Sequence, residues 1–283
     1  MNPRWMRLGF ALVLPFLALP QEQETRALWD STFLQQRPPA KNKRAPASTV
    51  SPPLLAAQAN PDRLLGLTVW RLRRRLPADE PGTRILEHGD HGNLEWTPER
   101  IDAETPLAEG QRVRFSIESA RSGYLYVIDR EEYESGSTGE SYLIFPTTRI
   151  RGGDNRLAPG TTIELPAWDD NPPYLLLKRT RSGHVGEMLT ILVTPEPLFG
   201  ITVGRQPVRL PAGQVALWEK TWGAPVARLE IPETGKAYTS LEKAAGAGLR
   251  PLTQADPVPH TLYRVEAKAG DPLLVKVRLP IQK

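Results

Sequence analysis

Cysteine is absent from the 283-residue chain. Its absence excludes disulfides, thiolate metal sites, thiol nucleophiles and lipid attachment through an N-terminal cysteine. Histidine is scarce, with four residues, which thins out the side chain most used for proton transfer near neutrality. No G-x-S-x-G elbow, H-E-x-x-H helix or G-x-x-x-x-G-K-[ST] loop occurs, so the local signatures of serine hydrolases, zinc proteases and P-loop nucleotide hydrolases are missing. A dominant charge is missing as well: 36 basic residues are offset by 32 acidic ones, for a net +4. Basic residues cluster only at Lys41–Arg44 and Arg71–Arg75. A nucleic-acid partner is therefore not expected, because such proteins concentrate cations on one face or helix.

Proline is abundant, at 29 residues. It removes a backbone donor and breaks helix interiors, so the chain favours strands, turns and extended segments. At the N-terminus, Arg4 and Arg7 precede an apolar run of twelve residues, Leu8–Leu19. That is the pattern of an export signal over residues 1–20, and it falls short of the roughly 20 apolar residues of a membrane span. Its removal leaves 34 basic residues against 32 acidic ones. The protein is expected to be exported, periplasmic or extracellular, with no stable membrane span after signal removal. Residues 21–62 hold proline clusters such as QQRPPAKNKRAPAS and SPPLLAAQANP. They are expected to be a disordered, Pro-rich linker, since such a segment cannot bury enough surface to offset chain entropy. The folded domain is expected over 63–283.

Within that domain the dominant period is two. Leu65, Leu67 and Val69 alternate with Gly66, Thr68 and Trp70, and Arg73–Arg75 are expected to end that strand in solvent. In Gln111–Ser119, Val113, Phe115 and Ile117 are expected to face inward, and Arg112, Arg114, Ser116 and Glu118 outward. Ala120–Gly123 supplies a turn, and Tyr124–Ile128 is apolar on both faces, which places it inside a sheet and predicts a hairpin with 111–119. Further short strands are expected at Ser141–Pro146, Thr161–Leu165, Tyr174–Lys178, Met188–Thr194, Thr261–Ala267 and Leu273–Leu279, joined by Gly/Pro/Asn/Asp-rich turns. A small helical insertion is expected at about 198–257. There Val215, Trp218 and Trp222 share one helical face that Gly223 ends, and Thr239–Glu242 (TSLE) forms a capping box opening a second helix. Both helices are too short to stand alone in water, so they should pack on the sheet through Trp218, Trp222 and Leu241. The fold class is mainly β: an immunoglobulin-like antiparallel β-sandwich with a small helical insertion.

Several constellations bear on chemistry. Glu87, His88, Asp90 and His91 could ligate a divalent metal, but Gly89 and Gly92 favour a solvated turn. The loop Asp129–Glu140 gathers Asp129, Glu131, Glu132, Glu134 and Glu140. It lacks the alternating ligand spacing of an EF-hand, and a charged hairpin tip that blocks edge pairing accounts for it. Ser182-Gly183-His184 places a serine near a histidine in sequence, which is not the spatial arrangement of a triad. Asp169–Asp170 is a carboxylate pair whose meaning depends on distances. Trp70, Trp96, Trp168, Trp218 and Trp222 either form a stacking platform for sugars or fill the core. From these readings no catalytic, cofactor-binding or metal-binding residue is assigned, and no cofactor is expected.

The run VRFSIES, SGYLYVID and YLIFPT, followed by LTILVTPEPL, resembles the bacterial domain-of-unknown-function family 4384, over roughly residues 97–198. The resemblance implies an exported β-rich domain of a kind often joined to peptidase-like, kinase-like or repeat modules. It brings no established activity and no catalytic residues. The leading expectation is an uncharacterised exported bacterial protein, a non-catalytic binding or scaffolding domain of the cell envelope. Its partner would be an unknown protein or envelope glycan, contacted through Asp129–Glu140 or the Arg149–Arg156 loop. The alternatives are an envelope hydrolase or metal-dependent enzyme, and a structural part of a surface assembly.

Overall fold

Rows of aliphatic side chains at every second position demand a partner surface, and in this protein two sheets supply it to each other. The computed structural model describes residues 25, 28–35, 37–39, 63–89, 92–231, 235–248 and 251–282. The expected signal segment 1–20 lies outside the described residues, as does most of 21–62. Strands are numbered β1 to β14 in chain order. The first sheet holds β1 (Leu64–Arg74), β2 (Ile85–Gly89), β3 (Gly92–Ile101), β4 (Arg112–Ser119), β8 (Thr162–Leu165), β9 (Leu175–Leu176), β12 (Val226–Glu230) and β13 (Thr261–Val265). The second holds β5 (Gly123–Tyr133), β6 (Tyr142–Phe145), β7 (Arg156–Leu157), β10 (His184–Thr194), β11 (Val208–Arg209) and β14 (Leu273–Pro280). The strand pairs in both sheets are antiparallel, and the sheets stack as a sandwich.

The core is built by the predicted alternation. Leu65, Leu67 and Val69 of β1 and Val113, Phe115 and Ile117 of β4 meet Leu125 and Val127 of β5, Leu189, Ile191 and Val193 of β10, and Val275, Val277 and Leu279 of β14. Each such buried side chain is worth about 1.5–3 kcal/mol of transfer free energy. The doubly apolar β5 is interior, as its composition predicts, flanked by β6 and β7 on one edge and β10 on the other.

Three expectations are corrected. β4 and β5 do not form a hairpin. β4 pairs with β1, β8 and β9, whereas β5 pairs with β6, β7 and β10, so the turn at 120–122 carries the chain from one sheet to the other. Both strands have an aliphatic inward row, and facing those rows across the sandwich buries more apolar surface than placing them side by side. Second, the polar face of β4 does not meet water. Arg114 and Glu118 are 1% and 3% exposed, because a layer formed by residues 28–35, 37–39, 235–248 and 251–260 covers the outside of the first sheet. Third, the expected linker is partly folded. A helical turn, Asp30–Leu34, follows Trp29, and Leu28, Trp29 and Phe33 pack on Leu64, Ala120, Ile231 and Leu262. Trp29 and Phe33 stack at 5.0 Å, an i, i+4 pair on one helical face. Arg37 then forks onto Glu118 at 3.1 and 2.7 Å.

The insertion also differs from expectation in content. It contains α1 (Gln214–Trp222) and α2 (Ser240–Gly246), but also β11 and β12, which extend both sheets. α1 docks Val215, Trp218 and Trp222 against Tyr126, Ile128, Leu192 and Leu274 on the outer face of the second sheet. α2 opens with the predicted Thr239–Glu242 capping box. Its buried residues are Glu242 and Ala245, however, and Leu241 is 55% exposed. Glu242 turns inward because Arg100, on the covered face of β3, supplies its counter-charge. No helix among the described residues is long and apolar enough to cross a membrane.

Candidate functional site

The residues singled out for chemistry are mostly bound up in structural contacts. Glu87 accepts hydrogen bonds from Arg112 at 2.7 Å, Tyr174 at 2.8 Å and Trp96 at 2.8 Å. Burial raises its pKa, and these donors outweigh burial and hold it below the ordinary glutamate range. The His88 side chain, Asp90 and His91 lie outside the described residues. His184 is fully buried. Its Nδ1 accepts the Thr180 N–H at 3.2 Å, so Nε2 carries the hydrogen that is directed at Gly186 O, 3.0 Å away. Ser182 is exposed and is not among these partners. Asp170 accepts from the Ala167 N–H at 3.0 Å and pairs with Arg149 at 3.1 Å, while Asp169 is exposed, so the two do not act as a dyad.

The acidic hairpin 129–140 is likewise divided among separate partners. Glu131 accepts from Thr180 and Tyr133, Glu132 pairs with Arg278 at 2.5 Å, and Glu140 pairs with Arg209 at 2.6 Å. Among the described residues no three of its carboxylates bring ligand atoms together. The tryptophans form no shared platform. Trp70 and Trp168 both contact Tyr238 under the covering layer, Trp96 lies between Arg74 and Arg112, and Trp218 stacks with Trp222 on the other sheet.

One concave surface combines an apolar floor with a polar rim. It is a cleft of about 370 Å³ between the end of β6, the β8–β9 connection and the segment before β11. Ile144, Ile150, Leu165 and Leu175 form the floor, and all four belong to the sandwich core or pack against it. Pro166, Pro172 and Pro207 shape the walls. The rim carries Thr147, Arg149, Asp170, Tyr174, Arg205 and Gln206. Arg149 is neutralised by Asp170 and also donates to Asn171 O at 3.1 Å. Tyr174 is oriented by Glu87. Arg205 is exposed and makes no ion pair among the described residues. Leu176, 38% exposed, adds an apolar side chain at the mouth. Size and lining match the usual pattern of binding clefts, mostly apolar with a few placed polar groups.

Of the two loops proposed from sequence, Arg149–Arg156 contributes to this cleft through Arg149 and Ile150. The acidic hairpin instead borders two broader depressions, of about 570 and 670 Å³, each lined in part by Tyr133, Ser137 and Thr138 of the hairpin. Tyr174, Leu176 and Arg205 are among the site residues that sequence reading did not select. Their only local signal is the surrounding proline density, which marks irregular backbone without saying that three such segments converge.

Residues 106–192 match the family described as Domain of unknown function (DUF4384), and most of the cleft is built from that stretch. No curated protein and no solved structure matches the chain.

Proposed function

We propose that the protein is an exported, non-catalytic binding domain of the bacterial cell envelope, and that the 370 Å³ cleft is its ligand site. The observation that carries this reading is the pairing of an apolar floor, open at Leu176, with Arg205, an exposed cation that makes no ion pair among the described residues. Such a surface complements a protein segment that presents an aliphatic or aromatic side chain beside a carboxylate. A glycan is the weaker fit, because sugars are held by exposed aromatic faces and the Trp side chains among the described residues are spread over four separate places. Export is supported by the basic and apolar pattern of residues 1–20. The absence of catalysis is supported by Glu87, Asp170 and His184, each held in structural hydrogen bonds.

Selection from a displayed peptide library tests the reading. Enriched peptides should share an apolar residue next to an acidic one. Their affinity, measured by calorimetry, should fall about tenfold or more in Arg205→Glu and in Leu176→Asp. Failure to enrich any sequence, or equal binding to both variants and the parent, would falsify it.

A further inference from the structure

The edge of β1 brings two strand ends head to head. β3 pairs with β1 up to Ile101, opposite Val69, and β13 begins at Thr261, opposite Leu67. Only Thr68 separates them, and its hydroxyl accepts the His260 N–H at 3.1 Å. Asp102, just past β3, and His260, just before β13, are thus forced together. β12 pairs with β13 so that its last residue, Glu230, lies opposite Thr261. Three segments far apart in sequence therefore deliver one imidazole and two carboxylates to one corner.

The side chains converge. His260 Nε2 lies 2.6 Å from Asp102 Oδ1 and 4.0 Å from Glu230 Oε2, and the three ligand atoms all lie within 4.8 Å of one another. Donors about 2.0–2.2 Å from a common zinc ion stand roughly 3.4 Å apart in a tetrahedron, so the observed separations bracket the requirement. The imidazole is buried and cannot swing away, whereas Asp102 is about half exposed and can adjust by a rotamer change. Thr261 Oγ1 donates to Glu230 Oε2 at 2.7 Å, the outer-sphere support that orients a ligating carboxylate. Arg228 contacts the other oxygen, Oε1, at 3.2 Å, and leaves Oε2 turned to the corner. The exposed side of Asp102 leaves room for water as a fourth ligand.

We infer that Asp102, Glu230 and His260 form a binding site for a borderline divalent cation of the zinc class. The imidazole selects against calcium and magnesium, which take oxygen ligands. The site lies outside the ligand cleft, and its loss would leave cleft binding intact.

Calorimetric titration of the chelator-treated full chain with Zn²⁺ tests this. The background is His88→Gln/His91→Gln, which removes two of the other three histidines of the chain. One saturable site is expected, with a rise in melting temperature on loading. Asp102→Asn, a change at an exposed position, should weaken binding about tenfold or more, and His260→Gln should abolish it. Titration with Co²⁺ should give visible absorption of a four-coordinate N/O site in the parent and lose it in Asp102→Asn. If no saturable binding occurs in the background protein, or if Asp102→Asn leaves affinity unchanged, the cluster is a hydrogen-bonded His–Asp pair and the inference fails.

Discussion

Individual side chains show where charge has been taken out of water and at what cost. Across the β5–β10 ladder Glu187 sits opposite Glu131 and two residues from the Leu189–Asp129 pair. Burial first, and then Asp129, Glu131 and Glu132, push the Glu187 pKa up to about 8. Burial first, and then Glu131, against a backbone hydrogen bond from Arg130, push Asp129 up to about 6. Both values exceed the unfolded range near 4, so between about pH 4.5 and 8 the folded state holds more protons than the unfolded one. Stability contributed here is present at the acid end and lost as pH rises through that window. Glu187→Gln should therefore stabilise the protein at pH 8, by about 1–3 kcal/mol, and have little effect at pH 4.5. Urea denaturation at both pH values checks it, and an identical pH slope in parent and variant would contradict it. Gly246 makes a second residue-scale point. A Cβ there would run into the Glu164 carboxylate, which Arg114 holds at 2.8 Å and Tyr238 also engages. Gly246→Ala should cost about 1–3 kcal/mol by overpacking, although alanine is the better helix former. The close approach to Glu164 needs a side chain 82 positions away and has no local trace.

Elements reveal how the covering layer is attached. Residues 28–35 and 37–39 are held by an apolar anchor, Trp29 and Phe33, and by the Arg37–Glu118 fork. Arg37 also donates to Asp256 O at 3.1 Å, tying the 253–257 turn to the same face. Burial raises the Glu118 pKa, and Arg37 opposes that rise. Arg37→Met leaves a buried carboxylate without its counter-charge and should cost about 3–5 kcal/mol. Adding Glu118→Leu should recover most of the loss, because a matched apolar pair avoids the desolvation penalty. Chemical denaturation measures the energies. Hydrogen exchange should show 28–39 opening in Arg37→Met and closing again in the double variant. If the second change deepens the loss, the ion pair itself, rather than its desolvation, dominates. This layer was only partly readable. The capping box of α2 and the apolar face of α1 follow from spacing along a few residues. The packing of 28–39 was hidden because proline-rich composition over 21–62 outweighed a single Trp-x-x-x-Phe spacing.

For the whole molecule, the family match covers residues 106–192 but the sandwich does not close within them. β4 needs β1 along seven register pairs, and β10 needs β14 along eight. Both outer faces are covered by segments beyond residue 192 or before residue 64. Residues 106–192 expressed alone should thus be unfolded or molten, with collapsed amide dispersion in a heteronuclear NMR spectrum. A well-dispersed spectrum would show that the matched stretch is self-sufficient, which the pairing argues against. Period-two alternation, the doubly apolar β5, the Gly/Pro turns and the helix caps were determined by the sequence itself, since each depends on spacing over fewer than about ten residues. Which strands became neighbours, that the arginine face of β4 is buried, that three proline-rich segments enclose a cleft, and that Asp102, Glu230 and His260 meet were settled by tertiary packing. The reason is physical: a charged row can be buried only where distant segments bring opposite charge, and no local pattern states which segments will arrive.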